Sequence, residues 1–234
     1  MSVISFKKAN CKNCYRCIKV CPIKAIRFND DVQAEIMPVD CVLCGHCLEA
    51  CPQNAKTITS DVGKVKDLIR AGNTVFASLA PSFLGSFDLP EPGCMVTALQ
   101  KLGFAAVVET AEGAVQVSRE YRRLIVDDGM DNIITTCCPT VNDLIEKYYP
   151  SLVPMMAPVV SPMIAHGRMI KKQHEDAKVV FIGPCLSKKQ EAEDIRHDTA
   201  IDAVLTFDEL EDWLKEAGIN TAEQPAKALS LIHI

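Results

Sequence analysis

The chain has 234 residues, of which 48% are hydrophobic and 24% charged, and its formal net charge is −5. This composition excludes a disordered tail or a collagen-like fibre and is typical of a soluble globular protein. The length allows one large domain, or a small domain followed by a medium one. No apolar run approaches the roughly 18 residues of a membrane span, and the first ten residues lack the apolar region of a secretory signal. We expect a cytoplasmic protein with no membrane span and no nucleic-acid partner.

The cysteines are the unusual feature of the sequence. There are twelve, and eight of them lie between Cys11 and Cys51. In a reducing compartment such thiols are more often metal ligands or catalytic groups than disulfides. The eight form two copies of the pattern C-x2-C-x2-C-x3-C-P placed 30 residues apart, which indicates an internal duplication. This spacing is that of bacterial two-cluster ferredoxins, in which the fourth cysteine of each run ligates the other cluster.

The crossed arrangement assigns four cysteines to each of two 4Fe–4S clusters. The first set is Cys11, Cys14, Cys17 and Cys51, and the second set is Cys41, Cys44, Cys47 and Cys21. The alternative is structural zinc, which fits poorly because zinc sites use C-x2-C pairs that close one tetrahedron. His46 lies inside the second run, but that run is already complete in cysteine, so we expect it to be a surface residue.

The remainder of the chain alternates between predicted helices and strands. In chain order these are helix 61–71, strand 74–79, helix 93–102, strand 104–108, helix 111–126, strand 132–136, helices 141–149 and 160–173, strands 178–182 and 201–205, and helix 207–217. Such alternation predicts an α/β domain with a largely parallel sheet. The expected architecture is therefore an α+β ferredoxin-like two-cluster module over 1–60, a connecting helix at 61–72, and an α/β domain over 73–228.

Several chemically capable residues follow directly after predicted strands. They are Ala80-Pro81-Ser82, Cys137-Cys138 and Cys185. Ligands of open α/β sheets bind beyond the carboxyl ends of the strands, so these loops are predicted to converge on one site that also contains Lys188. Cys94 lies on a predicted helix, and we interpret it as a buried small hydrophobic residue.

At these residues the chain resembles the iron–iron hydrogenases. Thr135-Thr136-Cys137-Cys138-Pro139 is similar to the family's first signature, T-S-C-C-P-x-W, and the stretch from Gly183 to Glu191 is similar to its second, M-P-C-x-x-K-x-x-E. Ala80-Pro81-Ser82 and Val160-Ser161-Pro162 resemble two further turns of the same domain. A double-cluster ferredoxin module is the family's usual accessory.

The resemblance implies a role for each matching residue. Cys138 and Cys185 match ligands of the 4Fe–4S cubane of the catalytic H-cluster, which also contains a di-iron site. Cys137 matches the thiol that passes protons to that site, and Lys188 matches the lysine that holds one of its cyanide ligands. Pro81 and Ser82 match backbone groups near the other cyanide, and Glu191 matches a supporting acid. Glu120 is a candidate for a carboxylate relay, but we favour its interpretation as a solvated helix charge.

The sequence also departs from the family pattern. Val141 replaces the tryptophan of the first signature, Gly183 replaces the methionine of the second, and Met163-Ile164 replace a glutamine pair. The third signature, E-x-x-C-x-x-G-C-x-x-G-G-G, does not occur in the 234 residues. We therefore expect a truncated form that is inactive by itself. Residues 229–234 resemble a translated sequencing adapter and are left out of the fold prediction.

The leading hypothesis is a large subunit that oxidises dihydrogen reversibly and exchanges electrons with a carrier such as an acidic ferredoxin, with other hydrogenase subunits as further partners. The alternatives are a hydrogen sensor of the same fold, to which the departures point, and a non-catalytic iron–sulfur scaffold. A basic segment supports the carrier hypothesis. Seven cations and no acid lie between residues 1 and 28, namely Lys7, Lys8, Lys12, Arg16, Lys19, Lys24 and Arg27.

Overall fold

The computed structural model describes residues 3–197 and 199–228 of the chain. The chain divides into two compact units, here called the cluster unit and the sheet unit. The cluster unit comprises Met1–Thr59 and Pro139–Pro154, and the sheet unit comprises Ser60–Cys138 and Met155–Ile234. The predicted adapter remnant at 229–234 lies outside the described residues. No helix in the described part of the chain is long and apolar enough to cross a membrane.

The cluster unit is built from a structural repeat that follows the sequence repeat. Its strands are β1 (Ile4–Phe6), β2 (Ile26–Phe28), β3 (Ala34–Ile36) and β4 (Lys56–Ile58), and its short helices are α1 (Arg16–Val20) and α2 (His46–Glu49). Strand β1 pairs antiparallel with β4, and β2 pairs antiparallel with β3. Strands β1 and β3 are 30 residues apart, and so are β2 and β4. The two small sheets are therefore built from equivalent strands of the two repeats.

The sheet unit contains a four-stranded parallel sheet, as expected from the alternation of helices and strands. Its strands are β5 (Val75–Leu79), β6 (Ala106–Glu109), β7 (Lys178–Ile182) and β8 (Ala203–Leu205), in the spatial order β6-β5-β7-β8. The helices are α3 (Val62–Arg70), α4 (Gly93–Lys101), α5 (Ala111–Val126), α7 (Pro162–Gln173), α8 (Ser187–Glu193) and α9 (Phe207–Glu216). Helix α6 (Pro139–Tyr148) and a 3-10 helix at Pro150–Met155 follow the paired cysteines.

One predicted strand is wrong. Residues 132–136 form only an isolated parallel bridge between Ile134 and Met156 and do not join the sheet. The β-branched residues there have strand propensity, but a strand also needs a partner to pair with. Backbone–backbone hydrogen bonds run here from Ile134 N–H to the Met155 carbonyl and from Ala157 N–H to the Ile134 carbonyl.

The main hydrophobic cluster of the protein lies in the sheet unit, and the central strands β5 and β7 are buried along almost their whole length. Helices α5 and α7 approach each other closely at Gly113, where an added Cβ would meet the carbonyl oxygen of Pro162 and the backbone of His166. Ser161 begins α7 by accepting a hydrogen bond from Ile164 N–H, and Pro162 occupies the first turn. This close crossing brings a histidine into the core.

His166 is 1% exposed, and its Nδ1 lies 2.7 Å from Ser78 Oγ on β5. Ser78 Oγ in turn lies 2.9 Å from Thr110 Oγ1, so the three side chains form a buried polar chain. Burial lowers the pKa of His166 from 6.5 to about 4. The imidazole is therefore neutral at pH 7 in the folded protein.

The buried histidine predicts a loss of stability in acid. Between pH 6.5 and pH 4 the unfolded chain binds a proton at His166 that the folded chain does not bind, so the free energy of unfolding decreases as the pH falls. Between pH 7 and pH 4.5, the free energy of unfolding of His166→Gln should fall by about 2 kcal/mol less than that of the parent. Denaturant titrations at the two pH values measure this difference. Equal losses in the two proteins would contradict this.

Candidate iron–sulfur and active-site residues

The four cysteines of the second predicted set line one cavity of the cluster unit. Its volume is about 330 Å³, including the space at its open mouth. The thiol-bearing residues on its wall are Cys21, Cys41, Cys44 and Cys47, and the rest of the lining is largely apolar, including Ile4, Ile23, Ile26 and Ile36. In the described part of the chain, no three His, Cys, Asp or Glu side chains gather closely enough for a single metal ion. The arrangement is thus a broad thiol-lined pocket.

The loops that carry the cysteines have a duplicated left-handed backbone. Positive φ angles occur at three pairs of positions 30 residues apart: Asn13 and Leu43, Tyr15 and Gly45, and Lys24 and Asn54. Residues of alternating handedness turn successive N–H groups to one side, and such concave surfaces bind anions, including iron–sulfur clusters. Five of these six residues carry a side chain, so the conformation is imposed by the surroundings rather than by glycine.

Backbone N–H groups already approach the cysteine sulfurs. Ala25 N–H donates to Cys21 Sγ at 3.2 Å, and Ala55 N–H donates to Cys51 Sγ at 3.3 Å, which is the same bond in each repeat. Leu43 N–H donates to Cys41 Sγ at 3.4 Å. Hydrogen bonds to the sulfurs are one of the factors that set the reduction potential of a cluster. These donors and the shape of the cavity fit a 4Fe–4S cluster held by thiolates.

The environment gives the thiols different affinities for protons. Burial raises the pKa of Cys47 to about 12, and burial is also the main cause of the raised pKa of Cys41. For Cys51 burial acts in the same direction, but N–H donors from Ala55, Gln53 and Lys56 outweigh it and lower the pKa. Iron must therefore displace protons from the buried thiols when it binds.

The cysteines of the first predicted set differ in how exposed they are. Cys17 is buried on α1, Cys14 is exposed, and Cys11 and Cys51 are partly buried. Cys11 Sγ lies 3.5 Å from Asn13 Oδ1, and Cys14 Sγ lies 3.5 Å from Gln53 Oε1. The contact between Cys14 and Gln53 brings the loop of the first run next to the loop after Cys51, as the crossed arrangement requires.

In the sheet unit, two of the predicted loops meet at the carboxyl ends of adjacent strands. Strand β5 pairs with β7, and Ala80 N–H donates to the Ile182 carbonyl at 2.8 Å just beyond the paired residues. A Cβ added to Gly183 would lie 2.7 Å from the Phe181 ring and 3.1 Å from Ala80 Cβ. Glycine is thus required here unless Phe181 moves. Pro81 and Ser82 follow Ala80 and are exposed in a 3-10 helix.

Lys188 connects the third loop to this edge of the sheet. It lies on α8, which the sequence analysis did not predict, and it is 8% exposed. Its Nζ donates to Glu191 Oε2 at 2.7 Å and to the Cys137 carbonyl at 3.1 Å. A buried ammonium ion needs such partners. The structure therefore brings together Cys137, Lys188 and Glu191, although Cys137 does not follow a strand of the sheet.

The other candidate residues from the sequence differ in their exposure and in their contacts. Cys138 and Cys185 are partly buried, Cys137 is exposed, and Cys185 Sγ lies 3.0 Å from Ser187 Oγ. Cys94 is 3% exposed within the α4 packing, as expected for a small hydrophobic residue. The Glu120 side chain is 42% exposed, and hydrogen bonds from Arg123 hold the pKa of its carboxyl below the usual range. This environment is that of the solvated helix charge favoured for Glu120.

His46 is exposed, as expected, although its Nδ1 lies 3.2 Å from Cys44 Sγ. The sequence analysis missed two buried lysines. Lys189 is 5% exposed and ion-paired to Glu209 Oε2 at 3.0 Å, and Lys56 is 4% exposed on β4. For Lys56 a signal was present, since the same position of the first repeat holds Ile26.

Two family models match the chain. Residues 10–55 match a 4Fe-4S dicluster domain, and residues 73–232 match the C-terminal domain of the iron-only hydrogenase large subunit. The first match covers the eight clustered cysteines, and the second contains the loops described above. These matches confirm the predicted fold class of a ferredoxin-like module before an iron hydrogenase domain.

Individual relatives agree with the family models. The chain is 32% identical over 186 residues to the periplasmic Fe hydrogenase large subunit of Nitratidesulfovibrio vulgaris, covering 70% of this chain and 43% of that protein. It is 30% identical to iron hydrogenase 1 of Clostridium pasteurianum over 172 residues, covering 67% of this chain and 30% of that protein. The chain thus spans less than half of the length of these relatives.

Solved structures show the same relationship. A variant of the apo FeFe-hydrogenase HydA1 from Chlamydomonas reinhardtii superposes with a TM-score of 0.63 at 26% identity, covering 74% of this chain and 52% of that one. The matched domain extends over more than half of the 234 residues. The chain therefore belongs to the iron-only hydrogenase large-subunit family, with a 4Fe–4S dicluster module in front of the family's C-terminal domain.

Proposed function

We propose that this chain supplies the electron-transfer module and part of the active site of an enzyme that oxidises dihydrogen reversibly to protons and electrons. The observation that carries the proposal is the position of Lys188. Its ammonium group joins the Cys137 backbone to the loop of Cys185, although the two motifs are about 50 positions apart in the sequence. Two hydrogenase signatures and a buried cation thus share one site at the carboxyl edge of the sheet.

We assign the ligands of the two electron-transfer clusters to the crossed sets. Cys11, Cys14, Cys17 and Cys51 ligate the first cluster, and Cys41, Cys44, Cys47 and Cys21 ligate the second. The common cavity of the second set supports this assignment, because it includes Cys21 from the other run. The two clusters, when held by these thiolates, would supply a path for electrons to and from an external carrier.

We assign a role to each active-site residue from its surroundings. The H-cluster, when bound, supplies the cleavage of dihydrogen. Cys138 and Cys185 provide two of its thiolates, while Pro81 and Ser82 lie in the loop next to Gly183. Glu191 holds Lys188 in place through the 2.7 Å ion pair, so that the ammonium group stays inside the site as a fixed donor.

Cys137 is proposed to move protons between the active site and solvent. Its exposure supports this role, since a relay must reach water on one side. In the enzyme extended to the full length of its relatives, we expect Cys137→Ala to keep its iron and lose most of its hydrogen turnover. Cys138→Ala is the matched control, because it removes a neighbouring thiol that is a ligand and should lower the iron content.

Iron analysis and hydrogen evolution distinguish these roles. If Cys137→Ala loses as much iron as Cys138→Ala, Cys137 is a ligand and the relay assignment is wrong. If Cys137→Ala keeps both its iron and its turnover, protons take another route.

A hydrogen sensor of the same fold is the second candidate, and the surroundings of Gly183 favour it. Where the hydrogenase signature has methionine, this chain has glycine, and the Phe181 ring fills the adjacent space. Met163 and Ile164, at the positions of the glutamine pair, are 1% and 0% exposed. A pocket changed in this way suits slow turnover of hydrogen. Measuring hydrogen turnover against that of a hydrogenase relative therefore distinguishes a sensor from an enzyme.

The proposed electron carrier is an acidic protein such as a ferredoxin. All seven basic residues of the first repeat are exposed, although Arg27 pairs with Asp40 and Lys8 with Asp31. Such a surface steers a partner of opposite charge towards the clusters. The cytoplasmic location stays a prediction, since one relative is named as periplasmic, and cell fractionation tests it.

The charge of this surface predicts a dependence on ionic strength. We expect electron transfer from an acidic ferredoxin to the reconstituted chain to slow several-fold when the salt concentration rises from about 0.01 M to about 0.15 M. A stopped-flow measurement of cluster reduction gives the rate, and a small neutral reductant serves as the control. A rate with ferredoxin that is independent of salt would remove the steering proposal.

A further inference from the structure

Lys56 is the most unusual charged residue of the cluster unit. It lies on β4 directly opposite Phe6, and only 4% of it is exposed. Its Nζ donates to the Ala34 carbonyl at 3.0 Å and lies 4.6 Å from the centre of the Phe6 ring. Within the described residues, no carboxylate forms an ion pair with it. A buried ammonium ion without a counter-ion is costly unless another negative group lies nearby.

The nearby negative charge comes from the cysteines once they bind iron as thiolates. Helix α2, which carries Cys47, packs against β4, which carries Lys56. Ala55, next to Lys56, donates its N–H to Cys51 Sγ at 3.3 Å. Cys47 belongs to the second proposed set and Cys51 to the first. One buried cation therefore lies close to a ligand of each cluster.

The internal repeat shows that the fold itself does not require this charge. Lys56 follows Cys51 by the same number of residues as Ile26 follows Cys21, and both residues are buried on corresponding strands. Ile26 faces Ile36, whereas Lys56 faces Phe6. The equivalent strand position of the first repeat thus holds an uncharged isoleucine. The fold of the strand therefore does not require a lysine at this position.

We propose that Lys56 raises the reduction potentials of both 4Fe–4S clusters of this chain. Each cluster takes up one electron on reduction, which increases the negative charge around its thiolates. A fixed positive charge at low dielectric stabilises this reduced state more than the oxidised one. The inference rests on the proposed cluster ligands, and it identifies Lys56 as a positioning and tuning residue that holds no iron itself.

The test is a redox titration of the anaerobically reconstituted chain, followed by electron paramagnetic resonance. We expect Lys56→Ile and Lys56→Met to shift both cluster potentials to more negative values. The expected change is about tenfold in the equilibrium constant for reduction, which is ~59 mV for one electron. Lys56→Arg keeps the charge and should keep the potentials close to those of the parent.

Lys24→Asn is the matched control for net charge. Lys24 is exposed, and Asn54 occupies its position in the second repeat with the same left-handed backbone. Its loss removes one positive charge where water screens it, so the potentials should change little.

Iron content and potential separate the possible failures. If the parent chain takes up no clusters, the proposed ligands fail before Lys56 is tested. If the parent and Lys56→Ile both assemble clusters with equal potentials, the tuning role is wrong. Equal shifts in Lys56→Ile and Lys24→Asn would also overturn it. If Lys56→Ile loses clusters that Lys56→Met retains, the potentials of Lys56→Met decide.

Discussion

The cluster unit depends on the electrostatics of thiols that are crowded into a small space. Burial raises the pKa of Cys41, and it raises the pKa of Cys47 to about 12. Without iron these two thiols remain protonated at pH 7. The hydrophobic cluster of the protein lies in the sheet unit, and the cluster unit buries few large side chains of its own. With so few large buried side chains, binding of iron to the thiolates would add to the free energy of folding, so the folding of this unit and its cofactor are coupled.

The duplication explains how so short a segment can surround two clusters. Strands, helices and left-handed residues recur 30 positions apart, and so do the N–H bonds from Ala25 and Ala55 to cysteine sulfurs. The repeat is not symmetric in charge, however. The first copy carries the exposed basic residues, and the second copy buries Lys56. One copy is thus suited to meeting a carrier, while the other contains the charge that influences both clusters.

Much of this organisation could be predicted from the sequence. The cysteine spacing predicts the cluster module, and alternating apolar segments predict the sheet and most of its helices, because both signals are local. Two features depended on tertiary contacts and could not be predicted in this way. Residues 132–136 have strand propensity but lack a long enough partner, and α8 follows the second signature without a clear start signal. The burial of Lys56 was detectable only by comparing the two repeats.

The crossed ligation of the two clusters is the central claim, and two double variants test it most directly. Cys21→Ala with Cys41→Ala removes two ligands of the same cluster, so the reconstituted chain should lose about four irons and keep one cubane signal. Cys11→Ala with Cys21→Ala removes one ligand from each cluster and should lose about eight irons. The reverse result, in which the first pair abolishes both clusters and the second abolishes one, would show that each run holds its own cluster.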